Sequence, residues 1–231
     1  MTSLSKESRG AVVLCGGGSM RMGRDKALLP FGDEVLLQRT VRLVGEVVPE
    51  KNIVVAAAAD QALPQLPPAI KVIRDEAPGL GPLPAIAAGL QALIPAVAAA
   101  FVTGCDAPLL KPAAVAWLFE QLGPRDENER DGVLLQDAER LYPLFAVYRT
   151  SAAARFAAAY RSGGQSLHGA ITSALFNVRL LDLDDVRMVD PQLDSLVNCN
   201  TMEEFKAAQD RIEISSTGGG PLAFGRRPSS P

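Results

Sequence analysis

A glycine-rich, basic segment near the amino terminus contains the residue types that bind phosphate groups. It follows the short apolar run 11–15, which is typical of a buried strand. Glycines have no Cβ to hold a ligand away from the backbone, so their N–H groups can contact a bulky anion. The segment contains three consecutive glycines and three basic side chains: Gly16, Gly17, Gly18, Arg21, Arg24 and Lys26. A strand leading into such a loop predicts a site for nucleotide phosphates.

Two common phosphate-binding loops do not fit these residues. A Walker A loop requires Gly-x-x-x-x-Gly-Lys-Ser/Thr, and Gly18 and Gly23 have that spacing but are followed by Arg24. The dinucleotide-binding pattern Gly-x-Gly-x-x-Gly also fails. If the pattern starts at Gly16 and Gly18, its third glycine position is occupied by Arg21. A glycine-rich turn with incidental charge is the simpler interpretation, but the basic content of the segment disfavours it.

Two aspartates further along the chain also follow apolar runs. Asp106 comes directly after the run 99–105, so we expect it at the carboxyl end of a strand, where open α/β sheets bind ligands. Chemistry on phosphate groups needs charge neutralisation and alignment, which a Mg²⁺ ion usually supplies, so Asp106 is the candidate metal ligand. Asp75 precedes a Pro-Gly-Leu-Gly-Pro segment whose backbone could lie close to a flat ligand. A helix cap at Asp106 and a plain turn at Asp75 are the alternatives.

Two asparagines near the carboxyl terminus flank a cysteine. In an extended segment, Asn198 and Asn200 would lie on one face and Cys199 on the other. Amide oxygens can bind Mg²⁺ or a water molecule held by it, so both asparagines are candidate metal ligands, with a helix N-terminal turn as the alternative. We expect Cys105 and Cys199 to be small buried apolar residues beside the site. The only histidine, His168, is typical of a surface or core residue.

Composition limits the class of protein. A chain of 231 residues with 48% hydrophobic residues can form one α/β domain. The net charge of −3, with acids and bases interspersed, suggests neither nucleic acid nor a membrane surface as a partner. No apolar run reaches the roughly 18 residues of a membrane span, and the polar first ten residues do not resemble a signal peptide. Three cysteines without metal-like spacing indicate a reducing compartment, so we expect a cytoplasmic protein.

Apolar runs alternate with helix-like stretches along the chain. The strands are expected at 11–15, 52–58, 70–75, 99–106, 132–135, 143–149 and 178–183, and the helices at 35–48, 83–93, 112–122, 151–161 and 166–175. This order predicts a three-layer α/β/α sandwich with a mostly parallel, doubly wound sheet. The late strands around 126–137 and 142–149 are joined by polar residues, and we expect this pair to be an antiparallel departure from that pattern. Thr201 is the expected cap of a last helix that ends near Arg211. We expect a flexible amino terminus at 1–10, a single domain at 11–212 and a disordered tail at 213–231.

The segment from Leu14 to Lys26 resembles the signature Leu-Ala-Gly-Gly-x-Ser-x-Arg-Met-Gly-x-Asp-Lys of the molybdenum cofactor guanylyltransferases. Cys15 replaces the usual alanine. These enzymes are similar in fold and loop to the nucleotide-diphospho-sugar transferases. The resemblance extends in family order through residues 74–83, 105–108, 142–149 and 198–201, which makes a chance match improbable.

The resemblance implies transfer of GMP from Mg²⁺-bound GTP to the terminal phosphate of molybdopterin or its molybdenum-loaded form, with release of pyrophosphate. It assigns nucleotide binding to Leu14, Cys15, Gly16, Gly17, Gly18, Arg21, Lys26, Asp75 and Asp106. The residues expected to take part in the reaction are Arg21, Lys26 and Asp106, and those expected to hold Mg²⁺ are Asp106, Asn198 and Asn200. Transient contacts with proteins that donate or accept the cofactor would fit the same role.

Three alternatives remain at this point. A cytidylyl-transferring relative typically has Leu-Ala-Ala-Gly where this chain has Leu14-Cys15-Gly16-Gly17, and the second of these glycines favours the larger guanine. Residues 54–58 lack the asparagine that some relatives place near the base. A sugar-1-phosphate nucleotidyltransferase would need an added sugar-binding region, for which the chain is short. A non-catalytic nucleotide-binding partner of molybdenum enzymes is disfavoured because both Lys26 and Asp106 are present.

Overall fold

Seven strands form one mixed sheet in the computed structural model, which describes residues 4–16, 25–75, 81–123, 129–163 and 166–217. The strands in chain order are β1 (Arg9–Leu14), β2 (Pro30–Phe31), β3 (Glu34–Val35), β4 (Ile53–Ala58), β5 (Lys71–Asp75), β6 (Ala99–Gly104), β7 (Gly132–Gln136), β8 (Leu141–Arg149) and β9 (Val178–Asp182). Their order across the sheet is β5-β4-β1-β6-β8-β7-β9, and β2 pairs with β3 as a separate short hairpin.

Seven α-helices accompany the strands in the described part of the chain. They are α1 (Leu36–Gly45), α2 (Leu83–Ala92), α3 (Pro112–Gln121), α4 (Ala153–Arg161), α5 (Leu167–Ile171), α6 (Leu183–Val186) and α7 (Met202–Thr217). Within the described ranges, no helix is both long enough and apolar enough to cross a membrane.

The sheet lies between two layers of helices because its strands bury side chains on both faces. In β1, Val13 packs with α1 and α3 on one face, while Val12 packs with α2 and α4 on the other. Both valines are fully buried. This alternation follows from the two-residue period of a strand, and continuous apolar runs are typical of strands covered on both sides. The predicted three-layer α/β/α sandwich is therefore confirmed.

Strand order creates an opening at the carboxyl edge of the sheet. The strands β1, β4, β5 and β6 are parallel, and the chain moves from β1 outward to β4 and β5 before returning to place β6 on the other side of β1. Such a reversal is the topological switch point at which open α/β sheets bind ligands. The segments that follow β1 and β6 therefore leave the sheet side by side.

The strand β8 runs antiparallel to both of its neighbours, β6 and β7, as the sequence predicted for the late strand pair. The other pairings in the seven-stranded sheet are parallel, including that of β7 with β9. The mostly parallel character of the sheet is thus confirmed.

Several element boundaries differ from the prediction. The helix expected at 166–175 is the five-residue α5, and the sequence pattern did not indicate the β2–β3 hairpin or α6. At the amino terminus, β1 begins at Arg9 because its first residues pair with β6, so part of the segment expected to be flexible is a strand. At the other end, α7 continues to Thr217, past the boundary expected at 212, because neither glycine nor proline interrupts it before Gly218.

A third apolar cluster attaches the carboxyl-terminal part of the chain to the sheet edge. It joins the β2–β3 hairpin and the start of α1 to α7 and the segment before it. Its buried members are Leu29, Phe31, Leu36, Leu109, Cys199, Phe205 and Ala208. The rings of Phe31 and Phe205 meet edge to face with centroids 5.6 Å apart. This cluster determines where the Asn-Cys-Asn segment lies.

Candidate active site

One lysine, one aspartate and one asparagine meet at the opening between β1 and β6. The Lys26 ammonium donates to Asp106 Oδ2 at 3.0 Å and to Asn200 Oδ1 at 2.9 Å. Lys26 is 9% exposed. Three of the predicted site residues are therefore in contact, although Asn200 is 174 positions from Lys26 in the sequence. We call these three residues the charged cluster.

Backbone and side-chain hydrogen bonds hold Asp106 where the chain leaves β6. The Cys105 N–H donates to the Leu14 carbonyl at 2.9 Å, which joins this turn to the end of β1. From α1, the Thr40 hydroxyl donates to the Cys105 carbonyl at 3.1 Å, and the Arg39 guanidinium donates to the Pro108 carbonyl at 2.6 Å. The carboxylate therefore projects from a turn fixed by two separate elements.

The absence of a side chain at Gly104 leaves space for the Asp106 carboxylate. The sequence did not identify Gly104 as a site residue. A Cβ at Gly104 would lie 2.5 Å from Asp106 Oδ1, closer than real Cβ contacts allow. Any side chain here would force the Asp106 carboxylate to shift. The signal was present in the sequence as a glycine two residues before a strand-end aspartate, where strand glycines often mark a close approach.

The Asn-Cys-Asn segment lies against the turn that contains Asp106. The Cys199 N–H donates to the Asp106 carbonyl at 2.9 Å, and Cys199 is fully buried. Asn198 and Asn200 are both exposed, as expected for an extended segment. Asn200 joins the charged cluster, whereas Asn198 lines a neighbouring cavity.

The start of α7 fixes the residue that follows this segment. Glu204 Oε2 accepts from the N–H groups of Asn200 and Thr201 at 2.7 and 2.9 Å. The Glu204 N–H donates in return to Thr201 Oγ1 at 3.1 Å. This reciprocal capping box confirms Thr201 as the cap of the last helix. It also engages the backbone of Asn200, while leaving the amide oxygen of that residue to Lys26.

The glycine-rich loop begins and ends beside one glutamine. Gln61 Nε2 donates to the Cys15 carbonyl at 2.8 Å and to Asp25 Oδ1 at 2.9 Å. Its Oε1 accepts from the Ala58 N–H at the end of β4 at 3.1 Å. Sequence reasoning missed Gln61, because nothing in its local pattern distinguishes it from an ordinary loop glutamine.

Two residues at the ends of this loop have defined positions. Gly16 lies close to β4, since a Cβ there would be 3.0 Å from the Ala58 nitrogen. Asp25 caps the short 3₁₀ turn that begins at Lys26, accepting from the Ala27 N–H at 3.0 Å. The predicted site residues Gly17, Gly18 and Arg21 lie outside the described residues.

Asp75 ends β5, and its backbone pairs in register with Ala58. It therefore lies at the same carboxyl edge as Leu14 and the charged cluster, two strands away from β1. The residues that follow, 76–80, lie outside the described ranges. The described part of the proline-glycine segment begins with Gly81, which has a φ of +75°, a conformation that glycine adopts without strain.

The three cysteines are free and buried around the site. Loss of solvation raises the pKa of the Cys15 and Cys199 thiols to about 12, and complete burial also raises the pKa of Cys105 well above its usual range. A thiol with a raised pKa remains protonated at neutral pH and is a poor nucleophile. The cysteines therefore act as packing residues, and His168 lies exposed on α5.

A cavity of about 310 Å³ adjoins the charged cluster on the side of α7. It is lined by Arg140, Leu196, Val197, Asn198, Asn200, Glu204, Ala207, Ala208 and Arg211. Arg140 stacks on the Tyr142 ring at 4.5 Å, and Arg211 donates to Asp194 Oδ1 at 3.0 Å. A larger cavity of about 600 Å³ beside α1 is lined by three glutamates and one arginine, and does not include the charged cluster.

Comparison with known proteins relates this site to a family. Residues 11–175 match the model of the MobA-like NTP transferase domain. A Mycobacterium bovis protein named "Probable molybdenum cofactor guanylyltransferase" is 37% identical over 193 residues, which cover 82% of this chain and 88% of that protein. A Mycobacterium avium protein of the same name is 36% identical, with coverage of 85% and 92%.

Solved structures share the fold. Molybdopterin-guanine dinucleotide biosynthesis protein A from Archaeoglobus fulgidus aligns with a TM-score of 0.68 at 22% identity, covering 88% of this chain and 98% of that one. A cytidylyltransferase from Leptospira borgpetersenii aligns with a TM-score of 0.64 at 11% identity, covering 90% and 87%. The family match covers most strands of the sheet and includes Lys26 and Asp106 of the charged cluster. The chain therefore belongs to the MobA-like NTP transferases.

Proposed function

We propose that this protein transfers GMP from Mg²⁺-bound GTP to the terminal phosphate of molybdopterin or its molybdenum-loaded form, releasing pyrophosphate. The observation that carries the proposal is the charged cluster at the switch point, where Lys26, Asp106 and Asn200 meet beside the end of the glycine-rich loop. The mycobacterial relatives named as molybdenum cofactor guanylyltransferases support guanine as the base and molybdopterin as the acceptor.

The nucleotide would lie along the carboxyl edge of the sheet. Backbone N–H groups of the loop that starts at Gly16 would hold the phosphates, together with the side chains of Arg21 and Lys26. The strand ends at Leu14 and Asp75 border the same edge, and in this proposal the base lies in the space next to them. Gly17 and Gly18 complete the loop in this proposal.

The charged cluster has the donor chemistry that Mg²⁺ requires. A carboxylate oxygen of Asp106 and an amide oxygen of Asn200 already converge on one cation, the Lys26 ammonium. Mg²⁺ prefers such oxygen ligands and is usually held by one or two carboxylates together with substrate phosphates. Asp106 and Asn200 would therefore hold the ion, and Asn198 is the third candidate ligand. When bound, Mg²⁺ neutralises phosphate charge and aligns the reacting groups.

The reaction needs no protein nucleophile. An oxygen of the acceptor phosphate, already an anion at neutral pH, attacks the α-phosphorus of GTP. A new phosphorus–oxygen bond forms while the bond to the bridging oxygen of pyrophosphate breaks. The protein supplies position and positive charge, which are the main requirements of phosphoryl-type transfer. Lys26 and Arg21 stabilise the charge that gathers on the departing pyrophosphate.

The acceptor would occupy the cavity of about 310 Å³, which shares Asn200 with the charged cluster. Its volume lies near the lower end of the range for small-molecule sites. Apolar residues of α7 and the preceding segment form part of its wall, and the basic residues Arg140 and Arg211 also line it. A flat, anionic heterocycle with a phosphate directed toward Asn200 fits this lining.

A side-by-side assay with two nucleotides tests the proposal. Purified protein is incubated anaerobically with Mg²⁺, molybdopterin and either GTP or CTP, and pyrophosphate and dinucleotide products are measured. We expect pyrophosphate release and molybdopterin guanine dinucleotide with GTP. Product with CTP alone would identify a cytidylyltransferase, and nucleotide binding without pyrophosphate release would indicate a non-catalytic partner.

A further inference from the structure

The charged cluster contains a cation that belongs to the protein. The Lys26 ammonium lies 3.0 Å from Asp106 Oδ2 and 2.9 Å from Asn200 Oδ1. These are the same two oxygen atoms that the proposed function assigns to Mg²⁺. The ammonium is largely enclosed, with only 11% of the Lys26 side chain exposed.

Lys26 and a metal ion cannot share this position. Both are cations, and like charges a few ångströms apart repel strongly where water is largely excluded. A divalent ion that binds Asp106 and Asn200 must therefore displace the ammonium from the two oxygen atoms. The displaced ammonium needs another anionic partner, and a nucleotide triphosphate at the adjoining loop would supply one.

The backbone around Lys26 allows the side chain to move alone. Asp25 caps the turn by accepting from the Ala27 N–H at 3.0 Å, and the Leu29 N–H donates to the Lys26 carbonyl at 3.1 Å. These bonds fix the main chain on both sides of the lysine. Its four-carbon stem still has rotatable bonds, so the ammonium can change partners without a change in the fold.

We propose that Lys26 occupies the metal position in the nucleotide-free protein and transfers to the triphosphate when the metal–nucleotide complex binds. This inference rests on the proposed function for the identity of the metal ligands. Two consequences follow. Free divalent ions bind weakly before nucleotide is present, and nucleotide and metal strengthen each other's binding because one movement of Lys26 serves both.

The remaining donors near the site are consistent with this exchange. In the parts of the chain that the structure describes, no group of three or more histidine, cysteine, aspartate or glutamate residues could hold a metal ion. The proposed metal site therefore has one carboxylate, from Asp106, and depends on substrate phosphates for further oxygen ligands. Lys26 keeps Asp106 and Asn200 together until those ligands arrive.

Replacing the lysine by methionine, which preserves the length of the side chain but removes its charge, tests the proposal. Mn²⁺ binding to the nucleotide-free protein is measured by electron paramagnetic resonance, and binding of Mg²⁺-bound GTP is measured by calorimetry. For Lys26→Met we expect about tenfold tighter Mn²⁺ binding and about tenfold weaker nucleotide binding, since one charge-assisted contact is removed. The two affinities should change in opposite directions.

Two matched variants isolate the effect. Lys111→Met removes another lysine that pairs with a carboxylate, Asp194, at 3.1 Å, but it lies outside the cluster and should change neither affinity. Adding Asp106→Asn to Lys26→Met should abolish the gain in Mn²⁺ affinity. Unchanged or weaker Mn²⁺ binding by folded Lys26→Met would overturn the exchange.

Separate controls are needed for the folding of the variant and for the proposed function. Circular dichroism establishes that Lys26→Met is folded, and the wild-type protein provides a second test that needs no variant. Its Mn²⁺ affinity should rise by about tenfold or more in the presence of a non-hydrolysable GTP analogue, since the phosphates recruit both cations. Equal Mn²⁺ affinity with saturating analogue would contradict the proposal. Mn²⁺ binding to the nucleotide-free protein is measured without acceptor and without turnover. A failure of the proposed transfer reaction would therefore be distinguished from a failure of the lysine exchange.

Discussion

Asp106 takes part in the candidate site through both its side chain and its backbone. Oδ2 accepts from the Lys26 ammonium, while the backbone carbonyl accepts from the Cys199 N–H. The first contact gives the residue its electrostatic role, and the second holds the Asn-Cys-Asn segment beside it. A substitution that changes only the carboxylate therefore separates chemistry from architecture.

Replacing Asp106 by asparagine should reduce transfer far more than it reduces folding stability. The variant retains the shape of the side chain and the backbone bond to Cys199, but it loses the negative charge that would hold Mg²⁺. Loss of one electrostatic contact in a transition state commonly costs about a hundredfold or more in rate. Steady-state turnover and thermal unfolding measure the two effects. Near-normal turnover at ordinary Mg²⁺ concentration would reduce Asp106 to a structural cap.

The buried thiols should make the stability of the protein fall in alkaline solution. Burial raises the pKa of Cys15 to about 12, from an ordinary value of 9.0. Well below pH 9 this thiol is protonated whether the chain is folded or unfolded. As the pH rises above 9 the unfolded chain loses the proton first, so the folded state loses relative stability by up to about 1.4 kcal/mol per pH unit for each such thiol.

The Cys15→Ala variant removes only this thiol. Alanine is the usual residue at this position in the family, so the fold should accept it. Urea unfolding between pH 8 and 10.5 should show a shallower decrease in the free energy of unfolding for the variant than for the wild type. Identical pH dependence in the two proteins would mean that Cys15 is not protected from ionisation in the folded state.

At the scale of elements, one side chain joins three segments that border the proposed phosphate site. Gln61 bonds to the end of β1 through the Cys15 carbonyl, to the return of the loop through Asp25, and to the end of β4 through the Ala58 N–H. The two ends of the glycine-rich loop are thereby held together. Binding a phosphate with a loop costs less when its ends are already fixed.

Replacing Gln61 by alanine should weaken nucleotide binding without removing any group that contacts the phosphates. We expect about a fivefold to tenfold higher Kd for GTP, which corresponds to the loss of about one net hydrogen bond. Calorimetric titration measures it. Gln38→Ala is the matched control, since Gln38 also donates to a loop carbonyl, that of Gln65, away from the glycine-rich loop. A Gln61→Ala protein with wild-type affinity would show that the hydrogen bonds of Gln61 to the two ends of the loop do not contribute to nucleotide binding.

At the scale of the whole molecule, the fold puts the proposed nucleotide site and the proposed acceptor site on either side of the charged cluster. The proposed nucleotide site lies at the edge of parallel strands from the first half of the chain, whereas the cavity of about 310 Å³ is formed mainly by the last helix and the segment before it. The charged cluster lies between them, because Asn200 belongs to both the cluster and the cavity wall. A transfer reaction between two bound substrates requires such an arrangement.

Replacing Arg140 and Arg211 by glutamine should affect the acceptor and not the nucleotide. Both arginines line the cavity that also includes Asn200. We therefore expect the KM for molybdopterin to rise about tenfold in the double variant, from loss of charge-assisted contacts, with an unchanged KM for GTP. Steady-state kinetics with each substrate varied in turn measures this. Arg187→Gln serves as control, since that arginine pairs with Asp184 on the surface. An equal rise in both KM values would place the acceptor elsewhere.

The sequence by itself determined the strands of the main sheet, their layered arrangement and the strand ends that carry Asp75 and Asp106. These features follow from local patterns: apolar runs define buried strands, and residues just after parallel strands meet at one edge. The contact between Lys26 and Asn200 was decided only by the tertiary structure, because it depends on α7 packing through Phe205 against the hairpin. The hydrogen bonds of Gln61 to the two ends of the glycine-rich loop were decided in the same way, and so was the space that Gly104 leaves for Asp106. Their partners are fixed by the packing of distant elements, which no local pattern of residues contains.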